Sequence, residues 1–241
     1  MKTKAQRIYD VLAANIQNGT YKPNSKLPSE HDLIAQYDVS RGTIRTALDM
    51  LSQDGYIQRL KGKGSIVLDV AKYNFPVTGL VSFKEVSKIM HGQVRTIVNE
   101  LLLIRPDDFV QSQLDVGPTD DVWRVARTRE IQGERIILDV DYFDRKFVPY
   151  LTKDICADSI YEYLEKELNL SISFAKKEIV VDSATDEDKA WLDLGDFSYV
   201  VVVKNHVYLE DVSLFQYTES RHRPDKFQFV DFARRNYLSK K

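Results

Sequence analysis

Apolar residues recur at helical spacing over the first fifty positions of the chain. Ile8, Val11, Leu12 and Ile16 fall at i, i+3, i+4 and i+8, and Gly19 follows, which predicts an amphipathic helix over 4–18 ended by glycine. After the polar turn YKPNSK, Ser29 precedes Asp32 by three positions, a near capping-box start for a short second helix ending near Tyr37. Ser40 can cap a third helix, whose Ile44, Ala47, Leu48 and Leu51 form one stripe before Asp54-Gly55 stops it. The pattern then changes to extended runs, YIQRL and SIVL, around the glycine-rich KGKG, and these predict a β-hairpin.

Residues 69–79 (DVAKYNFPVTG) lack periodicity and contain Pro76 and Gly79, which marks a domain boundary. Beyond it, extended runs at 97–104, 122–131, 135–144, 172–182, 199–209 and 213–222 are interspersed with helical runs at 83–91, 107–114, 159–168 and 186–193. Short polar turns such as QGER and EDV join neighbouring extended runs as antiparallel hairpins, so the fold class is α+β rather than doubly wound. The expected organisation is an amino-terminal domain over 1–69, a linker over 70–79, and a second domain over 80–241.

Composition narrows the class. A chain of 241 residues with 43% hydrophobic and 11% aromatic residues has material for two packed cores, which excludes wholesale disorder. Its one cysteine, Cys156, excludes a disulfide framework or a Cys-rich zinc site. The polar amino terminus and the interruption of the longest apolar stretch, YVVVVKNHVYL, by Lys204 point to a cytoplasmic protein, neither secreted nor membrane-spanning. Residues 1–70 hold ten Lys/Arg against seven Asp/Glu, or +3, and the remainder holds 24 against 29, or −5. A basic front end is therefore joined to an acidic body.

Three helices and a two-stranded wing form a winged helix-turn-helix, in which the third helix enters the major groove amino end first. Ser40, Arg41, Gly42, Thr43 and Arg45 lie at that end. Arginine matches the paired acceptors of guanine, Thr43 can bond a phosphate, and Gly42 lets the backbone approach closely. The wing tip Lys61-Gly62-Lys63-Gly64 puts two ammonium groups on a turn of little bulk, suited to a backbone or minor-groove contact. A solvated charged face is the blander reading. Against it stand the spacing of Arg41 and Arg45 on one helix face and the recurrence of positive charge at the wing.

Strand alternation makes a second prediction. In DVWRVARTREI, Trp123, Val125, Arg127, Arg129 and Ile131 share one face, and Arg124, Thr128 and Glu130 the other. Two arginines on a mainly apolar face need carboxylates or a bound anion. Ser159-Ile160-Tyr161 opens one helix and Ser82 precedes another, and each serine can either cap its helix or help bind a phosphate. Gln216, Thr218, Ser220 and His222 share a strand face opposite Phe215 and Tyr217, a polar row that either faces solvent or meets sugar hydroxyls.

Enzyme chemistry finds little support. There is no Gly-x-Ser-x-Gly elbow, no His-x-x-x-His or Cys-x-x-Cys metal spacing and no P-loop. Asp139 and Asp141 share a face of RIILDVDYF, an arrangement that usually serves solvation or arginine pairing, and His206 and His222 lack an evident acidic partner. A catalyst acting on a sugar phosphate stays a remote alternative.

LPSEHDLIAQYDVSRGTIRTALDMLSQDGYIQRLKGKGSIV resembles the GntR-type winged-helix domain throughout, with its Leu-Pro-Ser-Glu start, Ser-Arg-x-Thr-x-Arg helix and Gly-x-Gly wing. The resemblance implies DNA contacts at Arg41, Thr43, Arg45, Lys61, Gly62 and Lys63, and at His31, which stands where arginine is common. GLVSFKE, the Arg-Thr-Arg strand, Ser-Ile-Tyr and YTESRHRPDKFQF resemble the effector-sensing UTRA domain of the HutC subfamily, a chorismate-lyase-like antiparallel fold. Together the two matches cover nearly the whole chain. They imply an anion held at Ser82, Phe83, Arg127, Arg129, Ser159 and Tyr161, and a sugar met near Gln216 and His222, where relatives commonly carry Glu and Tyr. Those two departures weigh against an amino-sugar phosphate such as N-acetylglucosamine 6-phosphate, which stays the alternative ligand. Longer stretches, among them YEYLEKELNLSISFAKKEIVV and SLFQYTESRHRPDKFQFVDFARR, resemble the trehalose-responsive branch of the subfamily. That resemblance, and not stereochemistry, implies trehalose 6-phosphate as effector. The expectation is a homodimeric repressor of trehalose uptake and utilisation genes, without cofactor or metal, on palindromic double-stranded operator DNA.

Overall fold

A computed structural model describes residues 3–60, 62–68, 83–84 and 93–229. They form two compact units, 3–68 and 83–229. The expected linker at 70–79 lies outside the described residues, as do Lys61, Ser82 and most of the helix expected over 83–91.

The first unit is α1 (Lys4–Gln17), α2 (Glu30–Tyr37), α3 (Arg41–Gln53), β1 (Ile57–Leu60) and β2 (Gly64–Val67). Each helix starts on a side-chain cap: Thr3 accepts from Gln6 N, Ser29 and Asp32 complete a capping box, and Ser40 accepts from Thr43 N. The apolar stripes converge on one core, in which Leu12, Leu33, Ile44, Ala47, Leu51, Ile57 and Val67 are fully buried. The hairpin closes with Leu60 opposite Gly64, and Gly62 (φ +76°) and Gly64 (φ +89°) supply the left-handed backbone the tight turn requires. Leu27 N donates to Ser65 O at 2.9 Å, so the segment before α2 adds to the wing's base.

The second unit is built on a six-stranded antiparallel sheet of order β3-β4-β5-β8-β7-β6. These strands are β3 (Val94–Ile104), β4 (Val122–Ile131), β5 (Glu134–Asp144), β6 (Ile172–Ser183), β7 (Tyr199–Leu209) and β8 (Leu214–His222). Helices α5 (Lys153–Asp158) and α6 (Ile160–Lys166) cover one face around Val125, Phe143, Cys156, Leu164, Val207 and Phe215. Helices α4 (Asp108–Leu114) and α7 (Asp186–Trp191) cover the opposite face, over Val122, Ala126, Leu138, Val140 and Tyr217.

Two local expectations are corrected. Helix α5 was not expected; its apolar part is the single run Ile155-Cys156-Ala157, too short for a period, and its start rests on Thr152, whose side chain accepts from Ile155 N. Phe215 does not lie opposite Gln216. Pairing passes from Val207↔Gln216 to Tyr208↔Leu214, so Phe215 is the extra residue of a bulge and joins the cluster under α5 and α6. Tyr217 lies on the other face, as expected.

Candidate functional site

The first unit presents a reading head. Ile44 is fully buried while Arg41, Gly42 and Arg45 are exposed around it, with Thr43 half-buried, so the start of α3 turns its polar side outward. Ser40 Oγ accepts from Thr43 N at 3.3 Å and lies 2.9 Å from Thr43 Oγ1, which fixes the first turn. A Cβ on Gly42 would meet nothing nearer than Ser40 Oγ at 3.8 Å, so the domain's own packing does not call for glycine there. Glu30 of α2 was not singled out by sequence, yet its carboxylate accepts from Arg41 at 3.3 Å and from Arg59 of β1 at 2.8 Å. It therefore links the start of α3 to the wing. The Arg41 side chain is 74% exposed, so that pair stabilises little and leaves the guanidinium available. His31, Gly62 and Lys63 are exposed.

In the second unit the register sets the chemistry. On β4, Arg127 stands opposite Asp139 of β5, and Arg129 opposite Ile137. Each arginine therefore reaches a carboxylate diagonally: Arg127 Nη2 donates to Asp141 at 2.7 Å and Arg129 Nε to Asp139 at 2.8 Å. The next strand supports both acids, since Ser220 donates to Asp139 at 2.5 Å and Thr218 to Asp141 at 2.6 Å. Arg129 also donates to Thr96 of β3 at 2.7 Å, and Arg127 Nη1 to the Cys156 carbonyl at 3.4 Å.

The arginines thus have the carboxylate partners that an ion-pair core would give them, but the pairing is uneven. Burial disfavours the Arg127 cation, yet Asp141 and Asp139 outweigh it and raise the pKa. For Arg129, burial and the neighbouring Arg127 outweigh Asp139 and lower it. The lowered pKa of Arg129 thus reflects its burial first and the neighbouring Arg127 second. Arg127 Nε is buried and has no hydrogen-bond partner among the described residues.

Most of the expected sensor residues gather here. Phe83 lies under Arg129, whose guanidinium carbon is 4.5 Å from the ring centroid. Lys84 reaches Asp158 at 2.7 Å and Glu162 at 2.8 Å, which holds the Phe83 segment beside Ser159. Ser159 caps α6 by accepting from Glu162 N at 3.3 Å, which leaves its O–H as a donor. Tyr161 donates to Gln216 Oε1 at 3.0 Å, while Gln216 Nε2 donates to Asp141 at 2.9 Å and Thr218 at 2.7 Å, so the amide orientation is fixed. Asp139, Asp141, Thr96, Thr218 and Ser220 were missed as parts of one network. Alternation placed the two acids on one face, but which arginine each would meet depends on inter-strand register, which a single strand does not encode. The Cys156 thiol, raised to about 11 by burial, is a packed apolar group and not a nucleophile.

His222 is buried against Phe227, their rings 5.1 Å apart. Burial pushes its pKa from 6.5 down to about 4, against the pull of Asp139. The unfolded chain takes up a proton before the folded one can, so this contribution to stability is intact above about pH 6.5 and is lost as pH falls towards 4. His222→Gln is expected to flatten the pH dependence of the sensor unit's denaturant midpoint across that window. An unchanged pH profile would contradict the assignment.

Among the described residues no three His, Cys, Asp or Glu could hold a metal, and no helix is long and apolar enough to cross a membrane. The family model for bacterial regulatory proteins, gntR family, matches residues 4–67, and that for the UTRA domain matches residues 90–228. The chain is 57% identical to the HTH-type transcriptional regulator TreR of Bacillus subtilis over 95% of its own length and 96% of that protein's. The solved effector-binding domain of the B. subtilis trehalose repressor is 59% identical, covering 59% of this chain and 99% of that one at a TM-score of 0.55. The crystal structure of the possible transcriptional regulator YydK, also from B. subtilis, aligns over 97% of this chain and 100% of that one, with a TM-score of 0.78 and 26% identity. The winged reading head and the antiparallel sensor sheet are therefore the two halves of a DNA-binding transcriptional regulator, not an enzyme, and the chain belongs to the GntR family of bacterial regulatory proteins.

Proposed function

We propose that this regulator is a cytoplasmic homodimeric repressor of trehalose uptake and utilisation genes, released from a palindromic operator by trehalose 6-phosphate. The observation that carries the reading is the buried Arg127 and Arg129 pair, with the Arg127 Nε donor left over. A sugar phosphate offers acceptors to these guanidinium donors at one end and hydroxyls for Gln216 and His222 at the other. The likeness to TreR supplies the sugar. Arg41, Thr43 and Arg45 are the base and phosphate contacts of the reading helix with Ser40 beside them, His31 flanks it, and Lys61, Gly62 and Lys63 make the wing contact.

Dimerisation gives the small winged helix two half-sites about one helical turn or a multiple apart, over which affinity accumulates. Effector binding favours a state whose half-site spacing mismatches the operator. A coupling of about 1–3 kcal/mol lowers operator affinity roughly 5- to 150-fold, and operator must weaken effector binding by the same factor.

Calorimetry with trehalose, trehalose 6-phosphate, glucose 6-phosphate and N-acetylglucosamine 6-phosphate, on free and operator-bound protein, tests both parts. Trehalose 6-phosphate is expected to bind best, and more weakly to the DNA complex. Preference for the amino sugar would change the ligand but keep the sensor; equal affinity with and without DNA would remove the release mechanism.

A further inference from the structure

Cross-strand register lines up Asp141, Thr218 and Asn205 on the adjacent strands β5, β8 and β7. Directly opposed residues project from the same face, so Asn205 shares the face that carries Gln216 and the buried ion pairs. Its position is costly to the fold in two ways. The Oδ1 acceptor is buried with no hydrogen-bond partner among the described residues, while its Nδ2 reaches only the Val203 carbonyl of its own strand, at 3.4 Å. Asparagine also suits a strand poorly, and this one otherwise begins Tyr-Val-Val-Val-Val. A residue that breaks both local rules on the face that carries the candidate sensor residues is accounted for by what it binds.

The only other buried side-chain atom without a partner among the described residues is Arg127 Nε. One orphan is a donor suited to an anion and the other an acceptor that needs an O–H or N–H. They lie on β4 and β7, three strands apart in the sheet order, or about 14 Å between backbones at the usual strand spacing. A phosphate on one ring suits the first orphan, and a second ring extends the same ligand toward the second.

We infer that Asn205 is a specificity-determining residue of the sensor, accepting a hydroxyl from the second ring of a phosphorylated disaccharide. The inference rests on the sugar-phosphate reading above and adds what selects a disaccharide over a hexose phosphate.

Calorimetry on the full chain with trehalose 6-phosphate and glucose 6-phosphate tests it, using Asn205→Val, Asn205→Asp and the unaltered protein. Asn205→Val is expected to weaken trehalose 6-phosphate about tenfold or more and to leave glucose 6-phosphate unchanged. The ligand-free melting temperature should stay level or rise, because an unsatisfied acceptor has been replaced by a good strand former. Asn205→Asp replaces a neutral acceptor by an unpaired buried charge and should weaken trehalose 6-phosphate as well, with a lowered ligand-free melting temperature that Asn205→Val does not show. Equal losses for both probes, no loss for either, or a lowered ligand-free melting temperature for Asn205→Val would make Asn205 structural and overturn the inference. If the unaltered protein binds glucose 6-phosphate as tightly as trehalose 6-phosphate, the second-ring contact is refuted while the sugar-phosphate reading stands. If it binds neither, that reading falls and the second-ring contact with it.

Discussion

Arg127→Ala should abolish sugar-phosphate binding and also destabilise the sensor unit by about 3–5 kcal/mol, the usual cost of stripping one partner from a buried ion pair. Asp141 is 2% exposed and would keep only Gln216 and Thr218 as donors to its charge. Lost binding alone would therefore be ambiguous, because an unfolded sensor binds nothing. The pair of changes Arg127→Met and Asp141→Leu separates the effects: replacing both charges by apolar groups of similar volume typically recovers stability. This double variant should unfold near the unaltered midpoint and still fail to bind trehalose 6-phosphate. If it binds normally, the arginine is a core ion pair and nothing more.

At the other end of the molecule, Arg45→Ala should cost about 1–3 kcal/mol on the operator and relax preference at particular base pairs, because an arginine at the start of α3 can bond guanine at two points. Lys63 sits exposed at the wing tip, and a point charge there suits backbone phosphate. Lys63→Ala should weaken every sequence alike and shrink the salt slope by about one. Anisotropy titrations over the operator and its single-base variants, at several salt concentrations, read both. Uniform and equal losses for the two variants would erase the division between base reader and phosphate clamp.

The helices of the first unit were legible because each carries its own start, stripe and stop. Ser29, Ser40 and Asp54-Gly55 act within a few residues of the helices they bound, and no distant contact is needed to read them. The same holds for Arg127 and Arg129 sharing a face, which follows from a period of two. The partners of those arginines were not legible, because a diagonal bond from β4 to β5 depends on register between strands. Phe215 was misplaced for a related reason: one extra residue in β8 resets the alternation, and neither glycine nor proline marks the spot. Glu30 escaped notice because its partners, Arg41 and Arg59, lie 11 and 29 positions away.

Asp141 and Asp139 already hold the guanidinium groups at 2.7 and 2.8 Å, so the phosphate of the proposed effector would meet resident competitors tethered to the same sheet. The affinity measured for such a ligand is a difference between two occupied arrangements, weaker than the bare arginines would give. Tethered carboxylates cannot be diluted away, so trace amounts of the proposed sugar phosphate would leave them in place and only an accumulated pool would displace them. On the proposed reading, the resident acids set the concentration at which the sensor starts to respond.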